Sequence, residues 1–353
     1  MKIALLTYSS KPRGGVVHTL ALAEALARAG QDVSVWSLGR GGDSTFFRAV
    51  DPAVDIRMVP FEHRDEENVG ERILRSIDVL RQAFTPDEYD IVHAQDCISA
   101  NAVGRCIRTI HHLDEFTTPE LAACHERAIT APYARICVSA AVASDVRRGW
   151  GFEATVIPNG VDAERFAAAS QSGRSNWQDK FGRYVLAVGG IEPRKGSLDL
   201  LDAFARLRSP DLRLVFAGGE TLFDYRDYRA EFDRRAAELG IEPVILGTVD
   251  DDELPHLVAQ AAVLPFFSTK EGFGLAAMEA LAASIPVVAR DLRVLREVFG
   301  DSVTYASSVE AMAAELERAV REPRNPLPGL ALAHSLTWDE AARKHLEFYS
   351  SLR

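Results

Sequence analysis

Residues 1–30 read M-K-I-A-L-L-T-Y-S-S-K-P-R-G-G-V-V-H-T-L-A-L-A-E-A-L-A-R-A-G. The apolar run at the start predicts a β-strand, and S-S-K-P-R-G-G predicts a loop that leads into a helix closed by Gly30. Polar residues follow the apolar run too soon for a signal peptide. A strand, a glycine-containing loop and a helix form the repeating unit of a parallel α/β sheet.

The alternation continues along the chain and then starts again. In the first half, the pattern predicts strands at 32–38, 90–95, 107–112 and 135–139 and a charged helix at 66–84. It restarts with a strand at 184–190 and a helix at 197–207, followed by strands at 212–219, 243–247, 262–266 and 285–289. We therefore expect an α/β protein of two Rossmann-like, doubly wound domains that face each other across a cleft.

A change in composition predicts the domain boundary. The small, polar stretch near 167–180 is typical of a linker, which gives a first domain at 1–168 and a second at 180–336. The last segment, 337–353, predicts a helix with Thr337 as its N-cap and Glu340 three residues on. We expect this helix to pack back on the first domain.

Composition and charge narrow the function classes. The 353 residues are 47% hydrophobic and 26% charged, as in soluble two-domain proteins, and no apolar run is long enough to span a membrane. The net charge of −11 argues against nucleic acid as a partner. Arg72, Arg75 and Arg81 are typical of the solvated face of an amphipathic helix, with peripheral membrane contact as the alternative. Four cysteines without metal-ligand spacing indicate reduced thiols and a cytoplasmic location.

Residues 271–279, E-G-F-G-L-A-A-M-E, predict a ligand site. Gly272 and Gly274 precede the helical run and allow a ligand to approach the backbone closely. The N–H groups of the first helical turn, around Phe273 and Leu275, suit an anion such as phosphate. Glu271 lies before this helix, and Glu279 is the only charge within its apolar run. A carboxylate in such surroundings needs a hydrogen-bonding partner.

Three further loops carry candidate residues. Gly14 and Gly15 form a tight turn or a phosphate loop, and His18 alone is interpreted as a capping or partly exposed histidine. Arg194 and Lys195 follow a predicted strand, where such cations bind phosphate or form a solvated surface pair. Of the adjacent pair His111 and His112, at most one faces the cleft, because neighbouring side chains of an extended chain point to opposite faces.

The acidic run 250–253, D-D-D-E, has two interpretations. Its D-x-D pattern occurs in Mg²⁺-nucleotide sites, but acids that cap and charge the following helix explain it better. The chain has no dinucleotide fingerprint, P-loop, nucleophile elbow or Ser-His-Asp arrangement, and no histidine partner at metal-ligand spacing.

Taken in order, the motifs resemble those of the GT-B-fold, retaining glycosyltransferases of family 4 (group 1) over essentially the full length. The matching blocks are G-G-V-V-H-T-L-A-L-A-E-A-L-A-R-A-G, Y-D-I-V-H-A-Q-D, C-V-S-A-A-V, V-I-P-N-G-V-D, P-R-K-G and E-G-F-G-L-A-A-M-E-A-L-A. The resemblance implies transfer of a sugar from a nucleotide-diphosphate sugar to a small-molecule, glycan or natural-product acceptor. It also implies retained anomeric configuration, no metal ion and no further cofactor.

The resemblance also implies roles for individual residues. Glu271 would contact the sugar hydroxyls and the reacting face, and Glu279 would hold the donor ribose. Lys195 and the N–H groups of Phe273–Leu275 would stabilise the departing diphosphate. The remaining assignments are Gly14 and Gly15 near the phosphates, His111 near the transferred sugar, and Val249 near the base. His18 would lie on the acceptor side, with loops such as 39–47 and 61–68.

One position departs from the family pattern. Members usually carry an arginine five residues before the loop lysine, where this chain has Gly190. Arg194 is the candidate replacement for the missing cation. The departure keeps one alternative open, a nucleotide-sugar-binding protein without turnover. A nucleotide-sugar epimerase or hydrolase on the same fold is a second alternative, although no additional acid/base pair is identifiable by spacing.

Overall fold

The computed structural model describes residues 1–62, 64, 67–114, 116, 118–172, 176–218 and 225–352. The chain divides into two compact units. Unit 1 contains Met1–Gly160 and Trp338–Arg353, and unit 2 contains Val161–Thr337. Each unit is an α/β structure whose described strand pairs are all parallel.

Unit 1 is built on a seven-stranded sheet with the order β3-β2-β1-β4-β5-β6-β7. Its strands are β1 (Lys2–Leu6), β2 (Asp32–Arg40), β3 (Val54–Phe61), β4 (Ile91–Ala94), β5 (Ile107–Ile110), β6 (Ala134–Cys137) and β7 (Thr155–Val156). Its helices are α1 (Gly14–Arg28), α2 (Val69–Ala83), α3 (Cys97–Val103), α4 (Pro119–Thr130), α5 (Ala140–Trp150) and α15 (Trp338–Ser351), with a 3₁₀ turn at Pro86–Glu88.

The first thirty residues fold as their pattern predicts. In β1, which lies between β2 and β4, residues Ile3 to Leu6 are completely buried, as expected for a strand covered on both faces. Helix α1 buries Leu20, Leu22 and Leu26, each worth about 1.5–3 kcal/mol when fully removed from water. Gly30 adopts a φ of 79°, which ends the helix.

Unit 2 contains two three-stranded sheets, ordered β10-β9-β8 and β11-β12-β13. The strands are β8 (Arg183–Val188), β9 (Leu212–Ala217), β10 (Val244–Ile245), β11 (Leu264–Phe266), β12 (Val287–Arg290) and β13 (Thr304–Ala306). The helices are α6 (Ala163–Gln171), α7 (Asn176–Phe181), α8 (Ser197–Phe204), α9 (Arg226–Leu239), α10 (Leu254–Ala259), α11 (Leu275–Ala282), α12 (Arg293–Phe299), α13 (Val309–Arg321) and α14 (Leu327–Ser335), with 3₁₀ turns at Pro193–Lys195 and Gly300–Ser302.

A bridge joins the two sheets of unit 2. Val185 of β8 pairs in parallel with Val263, which immediately precedes β11. The N–H of Leu186 donates to the carbonyl of Val263 at 3.1 Å, and the N–H of Ala262 donates to the carbonyl of Tyr184 at 2.8 Å. The bridge therefore connects β8 to the start of β11, and the two sheets of unit 2 form a doubly wound arrangement.

The predicted linker at 167–180 is wrong where the structure describes it. Helix α6 includes residues 163–171, α7 begins at Asn176, and residues 173–175 lie outside the described residues. Alanine favours helix, and α6 packs against α10 and α11, so this small, polar stretch belongs to unit 2. The boundary between the units lies at Gly160, earlier than the expected 168.

The last helix belongs to unit 1. Helix α15 begins at Trp338, directly after Thr337, and packs against α1. In the described part of the chain, no helix is both long enough and apolar enough to cross a membrane. Cys97, Cys106, Cys124 and Cys137 are free thiols.

Candidate active site

The loop between β8 and α8 places two cations at the carboxyl end of a strand. Pro193–Lys195 forms a 3₁₀ turn that ends at Gly196, with φ 65° and ψ 34°. A Cβ atom at Gly196 would lie 2.3 Å from the carbonyl oxygen of Phe267. Both the left-handed backbone and this close approach require glycine, so the P-R-K-G spacing fixes where the cations lie.

Both cations contact Glu271. Lys195 Nζ lies 2.7 Å from Glu271 Oε1, and Arg194 Nη1 lies 3.3 Å from the same oxygen. Arg194 also contacts Glu192 Oε1 through Nη2 at 2.9 Å. Burial alone would raise the pKa of Glu271, but Lys195, Arg194 and a hydrogen bond from Ser268 lower it to about 2. Glu271 is therefore ionised at neutral pH, although its side chain is only 10% exposed.

Arg194 thus lies beside Lys195 and Glu271, and its guanidinium group contacts two carboxylates. Gly190, where the family pattern has an arginine, lines a small cavity with Lys195, Gly189 and Phe267. The side chain of Lys195 packs against Gly189, because its Cε would lie 3.4 Å from a Cβ atom at that position. The structure therefore brings Arg194 and Gly190 to the same loop region as Lys195.

Helix α11 begins next to Glu271. Its N-cap, Gly274, has a φ of 102°, and no side chain forms a hydrogen bond to the cap. A Cβ atom at Gly274 would lie 3.0 Å from Phe299 and 3.1 Å from Phe266. Gly272 and Phe273 are buried, and Leu275 is half-buried as the first helical residue. Two phenylalanine side chains therefore require glycine at this position, and the approach of a ligand to the backbone here stays a prediction.

Glu279 lies in α11, and its environment differs from that of Glu271. Burial raises the pKa of Glu279 to about 7, Arg165 opposes this, and Asp251 and Asp162 add to it. Arg165 Nη2 lies 2.8 Å from Asp251 Oδ2 and also donates to the backbone carbonyl of Asp251. The nearby arginine is thus shared with other carboxylates, and Glu279 retains its proton more readily than an exposed glutamate.

The acidic run 250–253 was predicted to cap α10, and that prediction is wrong. The N-cap of α10 is Glu253, which makes no capping hydrogen bond with its side chain, and no acid lies in the first turn. Asp251 pairs with Arg165 of α6 instead, while Asp252 is fully exposed. The sequence gives no signal for this pairing, because the two residues are far apart in the chain. Val249 lies just upstream, half-buried in the loop after β10.

In unit 1, Gly15 and His111 lie together. Gly14 and Gly15 are the first residues of α1, and a Cβ atom at Gly15 would lie 3.6 Å from His111 Cδ2. Burial is the main cause that lowers the pKa of His111 well below its usual range, and the neighbouring His18 and Arg108 add to it. Its Nε2 atom is buried and has no hydrogen-bond partner among the described residues. His112 instead lies 2.9 Å from Asp114, so the two histidines have separate surroundings.

The interpretation of His18 as a partly exposed histidine is wrong, while its acceptor-side role stays a prediction. His18 is 1% exposed, its Nδ1 lies 2.9 Å from Asn159 Oδ1, and its ring centroid lies 4.8 Å from that of His111. Burial lowers its pKa to about 3. His18 therefore lies on an inner face of α1, in contact with His111. Asn159, in the P-N-G block, is the partner that the sequence did not reveal.

Two family models match the chain. The model of Glycosyltransferase Family 4 matches residues 12–165, and that of Glycosyl transferases group 1 matches residues 173–345. Together they span nearly all of both units.

Individual relatives and solved structures agree with these matches. The phosphatidyl-myo-inositol mannosyltransferase of Mycobacterium tuberculosis is 28% identical over 394 residues, which cover 100% of this chain and 97% of the relative. The O-antigen chain mannosyltransferase B of Escherichia coli is 26% identical, with 77% of each chain covered. The sucrose-phosphate synthase of Thermosynechococcus elongatus has a TM-score of 0.81 at 19% identity, covering 100% of this chain and 99% of that one.

A further structure, Anabaena HepE in complex with UDP and glucose, has a TM-score of 0.74 at 20% identity and covers 99% of this chain and 100% of that one. The fold is thus GT-B, and the two family matches identify the protein as a glycosyltransferase. The chain belongs to glycosyltransferase family 4, the group 1 glycosyl transferases.

Proposed function

We propose that the chain is a metal-independent, retaining glycosyltransferase that moves a sugar from a nucleotide-diphosphate sugar to a small-molecule, glycan or natural-product acceptor. The observation that carries this proposal is the 2.7 Å ion pair between Lys195 and Glu271 at the start of α11. It combines a cation, a carboxylate and a helix N-terminus in one place.

The cation and the helix suit the leaving group. Cleaving the bond between a sugar and a diphosphate increases negative charge on the phosphate oxygens, and Lys195 with the first N–H groups of α11 would stabilise that charge. Such donors lower the barrier most when they bind the transition state more tightly than the substrate. Because these positive groups belong to the protein, we propose that no metal ion is needed.

Glu271 suits the sugar side of the reaction. Its ionised carboxylate would accept hydrogen bonds from sugar hydroxyls and stabilise the positive charge that develops on the sugar. Glu271 already contacts two cations, which favours an electrostatic role over that of a proton donor. We therefore propose front-side displacement without a covalent intermediate, and no catalytic metal or cofactor enters this scheme.

The remaining contacts would bind the nucleotide and orient the sugar. Glu279 would accept hydrogen bonds from the ribose, and Val249 would lie near the base. In unit 1, Gly15 would approach the phosphates. His111 would use its unpartnered Nε2 to contact a sugar hydroxyl as a neutral imidazole. His18 would pack against the ring of His111 and fix its orientation.

The relatives indicate which donors to test first. The relatives from M. tuberculosis and E. coli are mannosyltransferases, so a mannosyl donor is our first candidate. A glucosyl donor is the second, because HepE was solved with UDP and glucose. The use of a nucleotide sugar also favours the cytoplasmic location predicted from the sequence.

The decisive experiment separates binding from transfer. The melting temperature of the protein would be measured with UDP, GDP, ADP and TDP and then with the corresponding sugars, since a ligand that binds only the native state stabilises it. The stabilising sugar would be incubated with acceptors, with and without EDTA, and the anomeric configuration of the product determined by NMR.

Retained configuration and activity in EDTA are the expected results. Inverted product would contradict the retaining mechanism, and loss of activity in EDTA that added metal restores would contradict metal independence. Donor consumption without any acceptor would favour the hydrolase or epimerase, and binding with no consumption across the acceptor panel would favour the binding protein.

A further inference from the structure

Two arginines of unit 1 converge on Tyr8, just beyond the carboxyl end of β1. Arg13 Nη1 donates to the hydroxyl oxygen of Tyr8 at 2.9 Å. Arg40, the last residue of β2, donates from Nε to the backbone carbonyl of Tyr8 at 3.2 Å and from Nη2 to Ser76 Oγ at 2.8 Å. The guanidinium of Arg40 also lies over the ring of Tyr8, 4.9 Å from its centroid. We refer to Tyr8, Arg13 and Arg40 as the arginine pocket.

The positive charge of the arginine pocket lacks a matching carboxylate. Within the described parts of the chain, the hydrogen bonds of Arg13 and Arg40 go to neutral oxygens, and neither side chain forms an ion pair. Arg48 and Arg75 of unit 1 differ, since Arg48 pairs with Glu24 at 2.7 Å and Arg75 with Glu67 at 2.5 Å. The buried Arg108 and Arg135 also donate to neutral oxygens, but these are backbone carbonyls within unit 1.

Asp96, an acid near Arg40, is already engaged. Asp96 accepts a hydrogen bond from the N–H of Tyr8 at 2.8 Å and two from Ser99, at 2.8 and 2.9 Å. Burial raises its pKa, which weakens it as a counter-charge. Lys11 is paired with Asp43 at 2.9 Å, outside the arginine pocket.

Burial makes the unmatched charge costly. The pKa of Arg40 falls to about 10, first because the group is desolvated and then because Arg72 and Arg13 lie nearby, although Tyr8 and Asp96 oppose the shift. The Nε atom of Arg13 is buried and has no hydrogen-bond partner among the described residues. Buried cations and unused donors of this kind are stabilised by an anion.

The location also favours a bound anion. Arg13 is the N-cap of α1, and that helix has neither a side-chain cap nor an acid in its first turn. The positive end of a 15-residue helix therefore adds to the field of the two arginines. Ligands of open α/β sheets bind at the carboxyl ends of the strands, where β1 and β2 place this pocket.

We propose that the arginine pocket binds a phosphate group, a monoester or a phosphodiester, carried by the acceptor. This assignment rests on the proposed function, in which Lys195 and α11 of unit 2 hold the donor diphosphate. The guanidinium N–H groups that are not engaged within the protein, together with the Tyr8 hydroxyl, would donate to a tetrahedral phosphate. The chain carries a net charge of −11, so a local positive site of this kind would favour an anionic ligand against the overall charge.

The first test measures phosphate binding by the full chain, independently of transfer. Isothermal titration with inorganic phosphate would compare wild type with Arg13→Gln, Arg13→Lys and Arg40→Gln. The matched control is Arg148→Gln, since Arg148 is 75% exposed and paired with Asp145 in the same unit. Arg13→Gln is expected to weaken phosphate binding about tenfold, as for loss of a charge-assisted hydrogen bond, and Arg13→Lys to restore part of it. The control should bind as wild type does.

The second test identifies the source of the phosphate. Transfer to a sugar phosphate and to the same sugar without phosphate would be compared, alongside sedimentation with phosphatidylcholine vesicles that contain or lack phosphatidylinositol. Preference for the sugar phosphate supports a soluble monoester, and Arg13-dependent sedimentation with phosphatidylinositol supports a lipid phosphodiester.

Three results would overturn the proposal. Phosphate that binds equally well to wild type and Arg13→Gln, or to neither, removes the pocket as its site. Competition between phosphate and a nucleoside diphosphate, lost in Arg13→Gln, would assign the pocket to the donor instead. By contrast, Arg13-dependent phosphate binding in a protein that transfers no sugar would leave the pocket standing and reject the proposed function.

Discussion

At the scale of single residues, Lys195 and Glu271 have opposite charges and different tasks. Their contact keeps Glu271 ionised and holds the ammonium group of Lys195 at the start of α11. Arg194 contacts the same carboxylate oxygen. Substitution can therefore distinguish the roles of the two cations. Of the two, only Lys195 packs along Gly189 and lines the small cavity with Gly190.

We expect Lys195→Ala to lower kcat about 10²- to 10³-fold, as for loss of one preorganised donor to a developing negative charge. The donor KM should change less, because the charge on the leaving group is greatest in the transition state. Initial rates of nucleotide release measure both constants. Wild-type rates in Lys195→Ala would remove this residue from the mechanism.

Arg194→Ala tests whether this arginine replaces the one that the family pattern places at Gly190. If it does, kcat should fall about tenfold or more, since a charged donor to the diphosphate is lost. A matched control is Arg229→Ala, because Arg229 pairs with Asp233 on α9 and is about half exposed. Equal rates for the two variants would show that Arg194 does not compensate.

Glu279 makes the stability of unit 2 depend on pH. Burial raises its pKa from 4.5 to about 7, so the native state holds this proton to a higher pH than the unfolded chain does. The native state then binds more protons within that window, and stability falls as the pH rises through it. An ionised Glu279 thus destabilises the protein in the absence of ligand.

Glu279→Gln should therefore melt at a higher temperature than wild type above pH 7, by the equivalent of about 1–3 kcal/mol. The difference should shrink as the pH is lowered toward 5, where wild type is also neutral at this position. Differential scanning calorimetry over this range measures it, with Glu242→Gln at an exposed position of unit 2 as the control. A variant that is less stable than wild type at high pH would contradict the assigned environment, and weaker nucleotide binding is expected throughout.

At the scale of elements, the cation loop depends on one backbone conformation. Gly196 and Gly240 have nearly the same φ, 65° and 66°, but their surroundings differ. A Cβ atom at Gly196 would collide with the Phe267 carbonyl, whereas nothing lies within 4 Å of one at Gly240. The two glycines separate the effect of a left-handed backbone from that of crowding.

Gly240→Ala should destabilise the protein by about 1 kcal/mol and leave activity unchanged, because only backbone strain is added. Gly196→Ala should cost more stability and also lower kcat/KM, because the loop must move to avoid Phe267 and carries Lys195 with it. Chemical denaturation and initial rates check both variants. Equal stability and activity for the two would show that the contact with Phe267 does not hold the loop.

Sequence patterns predicted those elements whose boundaries depend on local chemistry. Helix α1 ends where Gly30 permits a left-handed residue, and β1 lies where an uninterrupted apolar run must be buried. The prediction failed at α6, because its small residues are typical of a linker unless the packing surface of α10 and α11 is known. It also missed α3, α4 and β3, although β3 alternates apolar and charged residues from Val54 to Met58.

For the candidate site, the sequence likewise indicated the local motifs but not the contacts between distant residues. Lys195, Glu271 and the start of α11 belong to local motifs, so the sequence brings them into view. The Arg165–Asp251 pair and the His18–Asn159 contact join residues 86 and 141 positions apart. Only the fold establishes such partners, and for that reason the burial of His18 could not be predicted from one helix.

At the scale of the whole molecule, unit 1 is completed by a helix from the far end of the sequence. Helix α15 buries Trp338, His345 and Tyr349, and the Tyr349 hydroxyl lies 2.7 Å from His93 Nδ1. These side chains cover the inner face of α1, next to His18. Unit 2 has its own core, in which the ring centroids of Phe216 and Phe232 lie 5.3 Å apart.

A chain that ends at Thr337 should therefore lose structure in unit 1 and keep it in unit 2. Hydrogen exchange monitored by mass spectrometry is expected to show faster exchange in β1, β4 and α1, with β8, β9 and α13 unchanged. A chain that ends at Ser351 is the control, since it keeps all of α15. Unchanged protection of unit 1 in the shorter chain would show that α15 is dispensable.

The return of α15 to unit 1 also sets an order of events during synthesis. A ribosome makes the strands of unit 1 first, but the helix that closes its core only after all of unit 2 has emerged. Unit 2 can therefore complete its fold while the inner face of α1 is still uncovered. Until translation reaches α15, the nascent protein exposes apolar surface around α1 that chaperones would recognise, and the first unit to be made is the last to be finished.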